Sequence, residues 1–389
     1  MRQSKWREAR SGRAAALAFV GVLSAFTVLA ACGGGGSTGG TTTNHSDIKL
    51  ATVTASTTQN AFQEMANGSK AAAQKYGVSL KELAPNGIDP AQEVQQFQAA
   101  AQTSQDGIAY MTTAPDVFSH PTQQATSQGV PVVAMDAAPL PGSGVTTLVA
   151  NDNVALGASV ATEIIKKIPA TASGEVVVGN DIPGLPLLDA RVQGMINVIK
   201  AQRPNVTIVG PVNVGAEPND NYNHWKALVT AHPDALAYLE PGDQGAVSFR
   251  QITQQTGKKY VMGGCDVDPT ALLAVKEGSV AVLGDPWHFM KGYIATTLLA
   301  QHAINKKALP QGWWNSGAGV VTQSNVDQVI AREKNNSTRQ AFFQREIDQQ
   351  LASPPIKPPP KIRLLIRTAA ELPLVHSSKI ASRAAASLS

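Results

Sequence analysis

From Asp47 onward, short apolar and β-branched runs alternate with longer stretches whose apolar positions recur every three or four residues. The runs at 48–54, 78–83, 107–112 and 130–135 read as strands, and 60–76, 90–103 and 115–128 read as the helices between them. Gly77 and Gly129 stand where two of these helices stop. A further strand at 145–149 leads into Asn151-Asp152-Asn153, a capping cluster, and a helix to about Lys167. The rhythm then repeats, with strands at 175–178, 206–209, 235–239, 260–262 and 280–283. Helices at 187–202, 220–231, 244–256 and 269–277 separate them, and a long helix runs from about Trp287 to Ile304.

Short apolar strands separated by helices predict a parallel sheet covered on both faces. Two such series in tandem predict an α/β protein of two doubly wound parallel-sheet lobes joined by a multi-strand hinge. The expected N-terminal lobe comprises 47–151 plus about 285–312, and the C-terminal lobe 152–284 plus about 313–350. Chain crossings are expected near Asn151, Asp285 and Trp313.

In sheets of this kind ligands sit beyond the carboxyl ends of the strands. An acid or amide recurs at nearly every such edge: Asn60 in the loop after the first strand, then Asp136, Asn151, Asp181, Asp243, Asp266 and Asp285. Helix capping accounts for Asp152 and for part of the role of Asn60. It does not account for the aromatic residues Phe62 and Trp287 beside the acids. Carboxylates and amides that bond neighbouring hydroxyls, with aromatic faces over C–H surface, suit a polyhydroxylated solute. Arg191, early in a helix, adds a donor-only group, with a surface ion pair to Asp189 as the plainer alternative.

These edges carry a resemblance. The stretches PVVAMDAA (131–138), VANDNVALGASVATEIIKK (149–167), DARVQG (189–194), LVTAHPDALAYLEPGDQGAVSFRQITQQTG (228–257) and YVMGGCDVDP (260–269) resemble the type I periplasmic binding proteins, in particular the ribose-binding members, over about 47–325. The resemblance implies a sugar site at Asn60, Phe62, Asp136, Asn151, Arg191, Gly242 and Asp266. Ribose binders carry an arginine where Ala137 stands and an asparagine where Gly242 stands, with Asp243 as a substitute. Asp285, Trp287 and His288 crowd the last hinge in place of a glutamine. These departures argue against ribose and for another small neutral sugar or polyol.

Charge and the chain ends set the compartment. Of the formal net charge of +4, residues 1–31 hold +4 and residues 354–389 hold +5, which leaves −5 for the body and excludes a basic nucleic-acid surface. Basic residues at 2–13 precede a charge-free run from Ala14 to Ala31, read as a secretory signal rather than a membrane anchor. Leu29-Ala30-Ala31-Cys32 resembles the lipobox of bacterial lipoproteins, which implies cleavage and acylation at Cys32. Residues 32–46, rich in Gly, Ser and Thr, read as a flexible tether. Cys265, the second of two cysteines, is then a small core residue without a disulfide. Residues 351–389 read as a Pro-rich and basic tail, expected to be disordered.

No nucleophile–base set, Gly-x-Ser-x-Gly elbow or phosphate loop is present, and His224, His232 and His288 share no metal-ligand spacing. The expectation is therefore a binding protein rather than an enzyme, with no metal and no cofactor. It would capture a sugar or polyol as a monomer and deliver it to the permease subunits of an ABC-type importer. Its place would be the outer face of the bacterial cytoplasmic membrane or the periplasm, held by a lipid anchor. A sensor presenting its closed form to a chemoreceptor or kinase is the alternative from another class.

Overall fold

The computed structural model describes residues 44–358. The signal segment, Cys32, most of the tether and the tail beyond Pro358 lie outside the described residues. In chain order the first series comprises β1 (His45–Val53), α1 (Asn60–Tyr76), β2 (Val78–Leu83), α2 (Pro90–Thr103), β3 (Gly107–Tyr110), α3 (Pro115–Ser127), β4 (Val132–Met135) and β5 (Thr147–Ala150). The second series is α4 (Asn153–Ile165), β6 (Gly174–Asn180), α5 (Pro186–Gln202), β7 (Val206–Asn213), α6 (Pro218–Ala231), β8 (Ala237–Leu239), α7 (Gln244–Thr256), β9 (Met262–Cys265), α8 (Pro269–Glu277) and β10 (Val282–Asp285). The chain ends with α9 (His288–Asn305), β11 (Gly312–Asn315), β12 (Gly319–Val321), α10 (Val326–Arg332), α11 (Asn336–Ala352) and β13 (Ile356–Lys357).

Two sheets result, ordered β13-β11-β5-β4-β3-β1-β2 and β12-β10-β9-β8-β6-β7. Within each, the five strands of the series pair in parallel in the same order, second-first-third-fourth-fifth. The molecule thus repeats one doubly wound α/β lobe twice, as the alternation predicts. Among the described residues only the late edge strands β13 and β12 run antiparallel.

The lobes exchange the helices that follow their fifth strands. After β5 the chain crosses at Asn151 and Asp152 and α4 packs on α5 in the second lobe; after β10 it crosses back and α9 packs on α1 in the first. Both helix pairs are brought together by glycine. A Cβ on Gly68 or Gly292 would collide with the backbone of Phe289 or Met65, and one on Gly157 or Gly194 with the backbone of Arg191 or Val154. Such contacts leave the facing carbonyls no room to withdraw.

The division after 312 differs from expectation. β11 joins the first sheet beside β5, with Trp313 paired to Leu148, and α11 buries Phe343 and Ile347 in the first lobe's core. The Trp314 indole donates to Gln350 Oε1 at 2.8 Å and fastens α11 to that strand. Of the expected second-lobe segment 313–350, only β12 and α10 belong there, β12 through its pairing with β10 and α10 through its packing on α8. Two further crossings follow, between β11 and β12 and between α10 and α11. At the other end β1 begins at His45, inside the stretch read as tether, because its backbone bonds to Gly77 and continues the ladder with β2. Likewise Ile356 and Lys357 form an edge strand rather than loose tail.

Candidate functional site

The strand order places the carboxyl ends of β1, β3 and β4 opposite those of β6, β8 and β9. Residues following all six line one cavity of about 60 Å³: Ala61 and Phe62, Met111 and Thr113, and Asp136 from the first lobe; Asp181, Gly242 and Asp243, and Asp266 from the second. Arg191 and His288 complete the polar wall.

Asp136 and Asp266 occupy the same position in the two lobes, one residue past the fourth strand. Both are left-handed, with φ of 60° and 67°, although neither is glycine. Each amide bonds back to the fifth strand, Asp136 to Val149 O at 2.9 Å and Asp266 to Gly284 O at 2.7 Å. That turn swings the carboxylates inward.

A chain of buried polar contacts joins them. The Lys291 ammonium donates to Asp136 Oδ1 at 2.5 Å and lies 3.2 Å from His288 Nδ1. His288 Nε2 lies 2.7 Å from Asp266 Oδ1, and Arg191 donates to Asp266 Oδ2 at 3.0 Å and to the Pro241 carbonyl at 2.7 Å. Burial opposes the charge on Asp136, but Lys291, His288 and Arg191 outweigh it and hold the carboxyl below its ordinary range. At Asp266 burial is likewise outweighed, by Arg191 and then His288. Burial, with the Lys291 charge, lowers the His288 pKa, and the imidazole stands between Lys291 and Asp266. Burial also lowers Lys291, against the pull of Asp136.

The second-lobe wall is acidic. Burial pushes Asp243 up to about 8, with Asp266 and Asp181 adding to the effect. Behind it Glu240 is pushed up to about 7 by burial and accepts hydrogen bonds from the Trp225 indole and the Asn221 amide. Burial, then Glu240, raises Asp181 well above the usual carboxylate range.

Of the sequence candidates, Phe62, Asp136, Arg191, Asp243 and Asp266 line the cavity. Four stand elsewhere. The Asn60 amide donates to Glu64 Oε1 at 2.8 Å, and Gln59, one residue earlier, lines the cavity instead. Asn151 donates to Asn153 Oδ1 at 3.0 Å; that oxygen also accepts from Arg191 Nε at 2.9 Å, so Asn151 steadies the residue that orients Arg191. Asp285 pairs with Arg332 at 2.6 Å in the hinge. Trp287 packs its ring on Phe343, centroids 5.5 Å apart, and against Gly317 at the next crossing. One physical reason covers Asn151, Asp285 and Trp287. They end or follow β5 and β10, the fifth strands, whose ends feed the crossings rather than the cleft.

Lys291 and Glu240 are absent from the sequence reading, and Asp181 enters it only as one of the acids at strand ends. Asp181 follows a strand in the same way as Asp136, and that signal was available; Lys291 lies a turn into a helix and reads like any surface lysine until α9 is known to cross. Cys265 is buried and free, its thiol pushed up to about 12 by burial. Among the described residues no group of His, Cys, Asp and Glu is arranged to hold a metal ion, and no helix is long and apolar enough to cross a membrane.

The periplasmic binding protein domain family matches residues 51–307, and the chain belongs to that family. The ribose import binding protein RbsB of Salmonella typhimurium is 27% identical over 233 residues, 60% of this chain and 77% of the relative. A solute-binding protein of an ABC transporter from Burkholderia graminis, solved in complex with D-arabinose, superposes with a TM-score of 0.67 at 21% identity, covering 73% of this chain and 98% of that one. One from Agrobacterium vitis with bound D-fucose gives 0.66 at 22% identity, covering 72% and 97%. At such identities these two likenesses show the type I periplasmic binding protein fold of two α/β lobes.

Proposed function

We propose that this protein captures a small sugar or polyol between its lobes and delivers it to the permease of an ABC-type importer. It acts as a monomer held at the outer face of the cytoplasmic membrane through an acylated Cys32. The observation that carries the reading is the convergence of six strand ends, three from each lobe, on one cavity whose wall sets acids and Arg191 beside apolar side chains and the Phe62 ring. The family supports capture over chemistry, and the ribose, arabinose and fucose of its relatives support a sugar. A cavity of about 60 Å³ falls short of the roughly 300–1,000 Å³ of small-molecule sites. The lobes therefore part to admit the solute and close on it, and a ligand touching both favours the closed form.

Isothermal titration against pentoses, hexoses, polyols and their simple derivatives tests this, with Asp266→Asn as the variant. Binding to at least one of them is expected, weakened at least tenfold, about 1.4 kcal/mol, in the variant. Failure of every carbohydrate to bind would overturn the reading.

A further inference from the structure

One carboxyl oxygen in the cleft is unpartnered. Asp181 is only 5% exposed and lines the cavity, yet its Oδ1 accepts no hydrogen bond. Its other oxygen passes so close to Gly242 that any Cβ there would collide with it. The glycine that stands where ribose binders carry asparagine thus makes the room Asp181 needs to reach the cavity wall. Asp243, half-buried, lines the same wall.

The site's buried cations are already engaged. Lys291 is held by Asp136, and Arg191 by Asp266 and the Pro241 carbonyl. These two pairs cancel, which leaves Asp181 and Asp243 without counter-charge beside the cavity, with Glu240 behind them. Burial raises both carboxyls in pKa, with Glu240 adding to it at Asp181 and Asp266 at Asp243. A neutral sugar can bond to either one but gives these buried carboxyls nothing that would let them ionise. A protonated amine brings three donors and the missing positive charge in one group. A metal ion would also supply charge, but the described residues include no ligand cluster for one.

We propose that the solute is an amino sugar or a comparable polyhydroxylated amine, its ammonium received by Asp181 and Asp243 and its hydroxyls by Asp136, Arg191 and Asp266. This rests on the reading of the cleft as a sugar-capture site.

The test is calorimetric titration of the full chain with a panel of pentoses and hexoses. Each is run beside its 2-amino derivative and the neutral N-acetyl form, at about pH 6.5, below the range of about 7.7–8.0 where a free α-amino group titrates. At least one amino sugar is expected to bind tenfold or more tightly than both its neutral counterparts. Asp181→Asn is expected to bring that ratio close to one, and Asp243→Asn, at a more exposed position, serves the same purpose should the first variant fail to fold. Neutral sugars binding as tightly as their amines, or a ratio that survives both substitutions, would overturn the proposal while sugar capture stands. Binding by no carbohydrate of either kind would overturn both.

Discussion

Lys291 and Arg191, two buried cations, each rest on a carboxylate from a left-handed strand end, and the acids that remain have no such support. The two sets respond to pH in opposite senses. Asp136 and Asp266 titrate lower in the folded protein than in the unfolded chain, so what they contribute is present above the ordinary carboxylate range and is lost as pH falls through their depressed values. Glu240 and Asp243, raised by burial to about 7 and about 8, contribute most below the ordinary range and lose it as pH rises through those values. The unliganded protein should therefore melt at progressively lower temperature between about pH 5 and pH 8, by roughly 2–4 °C per kcal/mol lost for a body of this size. Glu240→Gln keeps an acceptor for the Trp225 indole and removes one titration, so its melting profile should be flatter across that window. A decline of equal slope in the variant, measured by differential scanning calorimetry, would show that Glu240 is not a source of it.

The lobes were legible in the sequence because period and punctuation agree: apolar runs of three to seven residues, helices between them, and glycine or proline at the breaks. The site was half legible, because an acid after a strand looks the same whether that strand ends at the cleft, as at Asp136, or at a crossing, as at Asp285. What decides is sheet position, and pairing over long sequence separations sets that. The same limit hid α11, whose pattern marks an apolar face without saying which lobe it covers. It also hid the meaning of the helix glycines, which local propensity counts only as a cost of about 1 kcal/mol each. In the fold they permit the α1–α9 and α4–α5 contacts. Gly292→Ala should therefore destabilise the first lobe despite its better helix propensity, by about 1–3 kcal/mol as overpacking does. Gly157→Ala should do the same in the second lobe through the Arg191 backbone. Urea denaturation that shows either variant to be as stable as the parent would mean that these helices can slide apart without cost.

Four crossings make the molecule a hinge, and the cleft holds a polar link across it. His288 opens α9, which packs in the first lobe, and its Nε2 reaches Asp266 at the edge of the second. The cavity is too small to receive a sugar from solution while that link and the packing around it persist, so capture requires an open form within thermal reach. A hydrogen bond to a charged group contributes roughly 1.5–3 kcal/mol, and each 1.4 kcal/mol shifts an open–closed ratio about tenfold. Removing the bond therefore suffices to change which form prevails. His288→Ala should enlarge the radius of gyration of the unliganded protein in small-angle scattering, and saturating ligand should restore the compact value because it bridges the lobes itself. It should also weaken affinity, since part of the binding energy now goes into closure. An unliganded variant as compact as the parent would locate the closing force elsewhere. The Arg332 guanidinium is the next place to look: it pairs with Asp285 in the hinge and lies 5.1 Å from the Phe343 ring centroid of the first lobe.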